Sequence, residues 1–413
     1  MADNGLRRVV VTGLGIVSSI GNDRHEVLAA LRTGRSGIEF VPEMQEAGFR
    51  CQVAGRVKGL RPEAKVGRRP LSTASDVVRY VFVAALEALE DAGLPREALG
   101  DGRTAVVVGG SFPGIGEAAR AERMLLQSVS PSRLGATGAV KAMHSTCSGN
   151  LAALLGVTGR AYSICSSSAS GADNIGHGYE LVAHGAADVC IAGASEDGGW
   201  RHAGIFVDNW WGMPRAWNDD PARACRPYDR DRQGTVFSEG AGILVLEDRA
   251  RAARRGAVPY AEVVGYAAAN DGHHMFDPSR DGLALALGGA MAMAREHGAA
   301  GVDYVNAHGT GTKHDALEVR VLAEALGTRL PLVSSTKGQT GHAMGAAGAH
   351  EAIYTLLMLR HGFVAATANL DHVAPDCQGV PHVRSLVETA LEAAATFNAG
   401  LGGSNACLVF RQP

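Results

Sequence analysis

The chain has 413 residues, 46% of them hydrophobic and 20% charged, with 54 glycines and a net charge of −3. That is ample material for a large core, and with no Lys/Arg run interleaved with aromatics it excludes nucleic acid as an expected partner. No run of about 18 apolar residues occurs, which excludes a membrane-spanning helix. The seven scattered cysteines form no CxxC pair and no signal peptide is read, which predicts reduced thiols, no metal site and a cytoplasmic protein.

Short β-branched runs alternate with Ala/Leu-rich stretches. "RRVVVTGLG" predicts a strand, followed by a helix over about 74–93, a strand at "TAVVVGGS", and a strand at "AYSIC" (161–165) running into a helix over 168–185. Strands follow at "ADVCIAGAS" and "AGILVLED". After the basic segment "RARAARRGAVP" the rhythm restarts with "YAEVVGYAAAND", "VDYVNAHGTGT" and "LPLVSSTKGQTGH", then a helix over about 345–361 and a closing pair, "HGFVAATANL" and "ATFNAGLGGSNACLVF". This βαβ alternation predicts a layered α/β fold. Two halves of similar rhythm predict a duplication joined near residue 255, with halves 1–255 and 256–413. The polar segment 196–240 carries all four tryptophans, Trp200, Trp210, Trp211 and Trp217. They either anchor a long excursion by packing or line one wall of a site entrance.

Three glycine-flanked polar clusters lie where second-half strands end: "NAHGTGT" with His308, "SSTKGQTGH" with Lys337 and His342, and "NAGLGGSN" with Asn405. Loops at strand ends are where layered α/β proteins assemble their sites. In the first half, "AYSICSSSASGADNIGHG" reads as a strand that stops and becomes a small-residue helix, with the turn among Ser166, Ser167 and Ser168. Such an elbow presents a side chain at a helix N-terminus.

Over essentially its whole length the chain resembles the β-ketoacyl-acyl carrier protein synthases of the thiolase fold. "RRVVVTGLGIVSSIG", "RPYDRDRQGTVFSEGAGILVLED", "VDYVNAHGTGT", "SSTKGQTGHAMGAAGAHEAIYTLLML" and "GLGGSNACLVF" carry the likeness. The resemblance implies a homodimer of duplicated, five-layered αβαβα subunits that handles acyl groups on phosphopantetheine. That arm belongs to the substrate carrier protein, so no cofactor of the chain's own is implied. His308 and His342 match the family's two active-site histidines, Lys337 its lysine, and Glu351 that lysine's partner. Thr310 and Thr312 match threonines that contact the pantetheine arm.

Three departures qualify the match. Counting back from Asn174–His177 puts the family's nucleophilic cysteine at Ser168; Cys165 falls three residues early, where a small buried thiol is expected. The positive end of a helix lowers a thiol pKa from about 8.5, whereas an alcohol stays protonated, and no close base for Ser168 is expected. The family's glycine loop carries two phenylalanines, replaced here by Ala399 and Leu401; the Leu401 and Ser168 amides match its oxyanion hole. "GTGTKHDALE" is one residue short and lacks the family's proline, leaving Asp315 and Glu318 unassigned.

Intact histidines beside a serine elbow narrow the resemblance to the ketosynthase-like decarboxylases of polyketide β-branching cassettes. The implied reaction is decarboxylation of malonyl-acyl carrier protein to acetyl-acyl carrier protein. Two alternatives stay open: a condensing synthase whose serine is natural or introduced, and a non-catalytic chain-length-factor-like subunit. Arg133 and Lys141 offer a basic patch for an acidic carrier.

Overall fold

In the strand Thr104–Gly109, Val106 and Val108 enter one hydrophobic core while Ala105 and Val107 enter another. Successive strand side chains point to opposite faces, so a run apolar at every position must be covered on both. Gly240–Asp248 divides the same way, Ile243 and Val245 against Leu244 and Leu246. The computed structural model describes residues 5–210, 212–327 and 329–413; Trp211 and the side chain of Trp210 lie outside the described residues.

The main strands are β1 (Val9–Val17), β2 (Thr104–Gly109), β3 (Ala161–Tyr162), β4 (Val189–Glu196), β5 (Gly240–Asp248), β6 (Ala261–Asn270), β7 (Tyr304–Asn306), β8 (Leu332–Ser334), β9 (Ala393–Gly400) and β10 (Ser404–Arg411). Among the described residues they form a 10-stranded sheet in the order β8-β7-β9-β10-β6-β1-β5-β4-β2-β3. The second half thus repeats the first strand for strand. Parallel β2–β4 and antiparallel β4–β5 are matched by parallel β7–β9 and antiparallel β9–β10. The halves join through β1 and β6, with Val9 opposite Val263 and Val11 opposite Ala261.

The helices that matter are α1 (Asp76–Ala92), α2 (Ile115–Leu126), α3 (Thr146–Leu155), α4 (Ser170–Ala183), α5 (Arg280–Glu296), α6 (Asp315–Ala325) and α7 (Ala347–His361). Among the described residues, three of the hydrophobic cores lie between the five layers. Helices α1 and α3 cover the outer face of the first five strands, and α5 and α6 the outer face of the second five. Between them α4 and α7 share one core with both sets of strands. Each fully buried Val, Leu or Ile contributes about 1.5–3 kcal/mol there. A Cβ on Gly171 would lie 2.4 Å from the Ala349 amide nitrogen, and one on Gly348 2.5 Å from that of Ala172. Glycine at both places lets α4 and α7 cross backbone to backbone. That crossing brings the first-half elbow against the second-half loops.

Three expected elements differ. The strand expected over 161–165 stops at Tyr162, and the helix expected from 168 starts at Ser170, because Ser167 takes a left-handed φ of 54° that a helix cannot include. The closing stretches do not pair with each other. Residues 393–411 fold back on themselves as the β9–β10 hairpin, while Phe363–Val364 pairs with Val387–Glu388 in a separate ribbon.

Candidate active site

The elbow is tied together by its own polar side chains. Asn174, on α4, accepts from the Ile164 amide at 3.1 Å and donates to the Ile164 carbonyl at 3.0 Å, clamping the strand side to the helix. Ser170 Oγ accepts from the Ser166 amide at 2.9 Å and donates to the Ser167 carbonyl at 2.6 Å. These bonds hold Ser167 in a conformation that costs a non-glycine residue about 1–3 kcal/mol. Ser168 follows it, buried, and its Oγ lies 3.0 Å from His342 Nε2. Cys165 is exposed, not the buried thiol expected, because β3 ends too early to turn it into the core. Its Sγ approaches the Ser111 carbonyl at 3.4 Å, and the group that meets the histidine is Ser168.

Lys337 is fully buried at the start of a single helical turn after β8. Its ammonium donates to Glu351 Oε1 and, at 3.4 Å, to His308 Nδ1. Asn398, on β9, donates to the other Glu351 oxygen at 2.6 Å, so each carboxylate oxygen has a donor. With Nδ1 accepting from Lys337, His308 carries its proton on Nε2. The His308 and His342 rings meet edge to face, their centroids 5.3 Å apart. Burial first, then the Lys337 charge, holds both imidazoles well below their ordinary pKa, so both are neutral at pH 7.

The close contact places a histidine ring beside Ser168, where no such neighbour was expected. Its direction follows from the far side of the ring: among the described residues, buried His342 Nδ1 has no hydrogen-bond partner. A proton there would leave a buried donor unanswered, costing about 1–3 kcal/mol. Carried on Nε2, the same proton donates toward Ser168 and the site. The arrangement therefore presents two neutral N–H donors, and His342 serves as a donor in preference to a base.

The two carboxylates on α6, Asp315 and Glu318, hold the His308 loop. Glu318 accepts from the His308 amide at 2.6 Å, the Gly309 amide at 2.8 Å and the Tyr228 hydroxyl at 3.0 Å. Asp315 accepts from the Thr310, Gly311 and Tyr228 amides at 3.0, 3.0 and 2.9 Å. Thr310 and Thr312 hydroxyls sit 3.0 Å apart on this loop. Asn405 is structural, donating to Asp271 at 2.8 Å. A Cβ on Gly400 would meet the Ser166 carbonyl at 2.8 Å and the Ser168 amide nitrogen at 3.1 Å, so the hairpin tip abuts the elbow. Leu401, next to it, has an exposed side chain, while Ala399 packs on the α5/α6 core.

Trp200 is buried with Met213, Phe237 and Met344 in a cluster of its own. Phe237 stacks on His342 at 6.3 Å, so the Trp-rich excursion backs the site through that ring. Trp217 lies half-buried under Arg226. Asn398, Tyr228 and Glu196 escaped the sequence reading. A polar residue inside an apolar strand was the available signal for Asn398; Glu196 ends its strand, where a polar side chain is ordinary, and no pattern gave Tyr228 a role. Glu196 accepts from the Ser111, Phe112 and Gly345 amides at 2.8, 3.1 and 3.1 Å, joining the two halves beside the histidines.

Burial pushes the carboxyls of Glu196 and Glu318 up to about 8 and about 7. Folded values above the unfolded value stabilise fully below the latter, about 4.3, and that contribution is lost as pH rises through 7 to 8. The buried thiols act with the same sign, since burial raises them too. The urea midpoint is expected to fall between pH 7 and about pH 9. Equilibrium unfolding at the two values checks it; a flat or rising midpoint contradicts it.

A duplicated αβαβα body whose elbow meets histidines from its other half is the thiolase-like fold. The chain belongs to the β-ketoacyl synthase family. Residues 6–252 match the family's N-terminal domain and residues 260–371 its C-terminal domain. It is 39% identical to the 3-oxoacyl-[acyl-carrier-protein] synthase 1 of Haemophilus influenzae and to that of Escherichia coli K12, over 98% of this chain and 99% of each relative. A solved β-ketoacyl synthase from Burkholderia phymatum superposes with a TM-score of 0.92 at 33% identity, covering 98% of this chain and 100% of that one. A type II polyketide-synthase acyl-carrier protein in complex with its ketosynthase gives 0.86 at 27% identity, covering 99% and 100%.

Proposed function

We propose that the protein decarboxylates malonyl-acyl carrier protein to acetyl-acyl carrier protein. The observation that carries this reading is the pair of neutral histidines facing an alcohol at the elbow, with Ser168 Oγ 3.0 Å from His342 Nε2. The carboxylate–Cα bond of the malonyl group breaks, carbon dioxide leaves, and the electron pair moves onto the thioester oxygen as an enolate. His308 and His342 donate to that oxygen where the charge grows. The enolate takes up a proton from solvent at Cα, which gives the acetyl thioester. Lys337 and Glu351 act behind His308, keeping its proton on Nε2. Ser168 holds no thiolate, so the acyl-transfer half of a condensation has no strong nucleophile.

The pantetheine arm enters past Thr310 and Thr312, with the Leu401 and Ser168 amides at the thioester. The carrier protein docks on the face bearing Arg133 and Lys141. A homodimer is part of the reading: α2 buries none of its residues, Leu125 and Leu126 on it are exposed, and β3 is an open sheet edge. We place it in the cytoplasm; among the described residues no helix is long and apolar enough to cross a membrane.

Mass spectrometry of malonyl-acyl carrier protein incubated with the chain alone tests the reaction. Acetyl-acyl carrier protein is expected, with no β-ketoacyl product when an acyl primer is added. Accumulation of that product favours the second reading, a condensing synthase, which the names of the 39%-identical relatives support. Gly400→Ala is expected to push the hairpin off the elbow and slow carbon dioxide release about 10²-fold. Unchanged far-UV circular dichroism with lost turnover is the outcome that checks it.

A further inference from the structure

The helix behind Ser168 carries a buried charge that the proposed reaction does not use. Asp173 stands in the first turn of the 14-residue helix α4 and is buried. One of its oxygens accepts the Ser166 hydroxyl and the other accepts the Tyr266 hydroxyl at 3.0 Å. Two donors, one to each oxygen, bind the group as a carboxylate. Burial raises its pKa and these two hydroxyls oppose the rise. Ser166 is two residues from Ser168, and its amide is bonded to Ser170, so the charge is wired into the same turn.

The positive end of a helix is what stabilises an anion at such an elbow. A carboxylate set into that first turn takes up the field itself and places a like charge against any second anion. We propose that Asp173 is a positioning residue that cancels the positive end of α4 at position 168, so that the elbow holds a neutral hydroxyl and resists forming an alkoxide or thiolate. Cysteine at 168 alone therefore does not recreate a strong nucleophile. This goes beyond the decarboxylase reading and holds whichever reaction the native chain performs.

The test reads the ionisation of a thiol placed at 168. In a Cys165→Ser background, which removes the exposed neighbouring thiol and leaves six buried cysteines, Ser168→Cys is made with and without Asp173→Asn. Iodoacetamide labelling at position 168 is followed from about pH 5 to about pH 10. The titratable groups facing position 168 are His342 and, behind it, His308 and Lys337; those acting on Asp173 are Tyr266, His177 and Glu180. Both variants keep all of them, so their difference isolates Asp173.

With Asp173 present the labelling midpoint is expected at or above the ordinary thiol value of about 8.5. Asp173→Asn should lower it by about one unit. A midpoint near or below about 7 with Asp173 in place, or one that Asp173→Asn leaves unmoved, overturns the proposal. If the amide variant does not fold, Asp173→Ser, which is smaller and also uncharged, gives the same comparison. Labelling needs no turnover, so failure of the decarboxylase reading would leave this result intact.

Discussion

Alanine at His342 is expected to slow carbon dioxide release from malonyl-acyl carrier protein about 10²- to 10³-fold, the loss typical of removing one preorganised donor to a developing oxyanion. The magnitude follows from the surroundings. The ring is buried, held neutral by burial and the Lys337 charge, and backed by Phe237. A donor in such a place needs no reorganisation when the enolate forms. His308→Ala should do as much, and in addition it strips Lys337 of one acceptor. Ser168→Ala is the informative contrast. If the serine carries no acyl chain, that variant keeps decarboxylation within about tenfold of the parent. A Ser168→Ala protein as inactive as His342→Ala would mean that the hydroxyl forms a covalent intermediate, and the proposed reaction would be abandoned. Timed mass spectra of the carrier protein, malonyl against acetyl, measure all three.

The elbow was legible in the sequence because its local chemistry is local in sequence. Asn174 lies ten residues from Ile164 and binds both its amide and its carbonyl, so the register counted back from Asn174 lands on the true turn. The strand rhythm was legible for a similar reason, since alternation within "TAVVVGG" records two covered faces directly. What lay hidden depended on contacts between the halves. The approach of His342 to Ser168 spans 174 residues and rests on the glycine crossing of α4 and α7, which no periodicity announces. The exposure of Cys165 depends on where β3 stops, and β-branched content does not mark that point. A loop one residue short shifts the motif spacing and hides the roles of Asp315 and Glu318 in the sequence. In space both still grip the His308 loop through its backbone amides, which a change in side-chain spacing does not disturb.

Glu351→Ala is expected to destabilise the protein by about 3–5 kcal/mol, far more than Lys337→Met at the other end of the same ion pair. The pair is wholly inside: Lys337 is fully buried and Glu351 nearly so. Removing the carboxylate leaves an ammonium whose remaining acceptor is His308 Nδ1 at 3.4 Å, and it also leaves the Asn398 amide without its acceptor. An uncompensated buried charge costs several kcal/mol, and the unmet amide adds about 1–3 kcal/mol. Either stranded group can shed its charge by a proton shift, but removing the lysine is milder because the carboxyl keeps Asn398 as donor, whereas removing the carboxylate leaves that buried amide unanswered. Its flexible apolar replacement also fills the space the lysine stem occupied. Urea denaturation of the two variants beside the parent measures the difference. Equal losses would mean that the pair is relaxed by water and does not set the His308 tautomer. The functional consequence runs with the structural one: with Lys337 absent nothing fixes the proton on His308 Nε2. Lys337→Met should therefore fold well and still lose much of its decarboxylation, whereas Glu351→Ala loses the fold first.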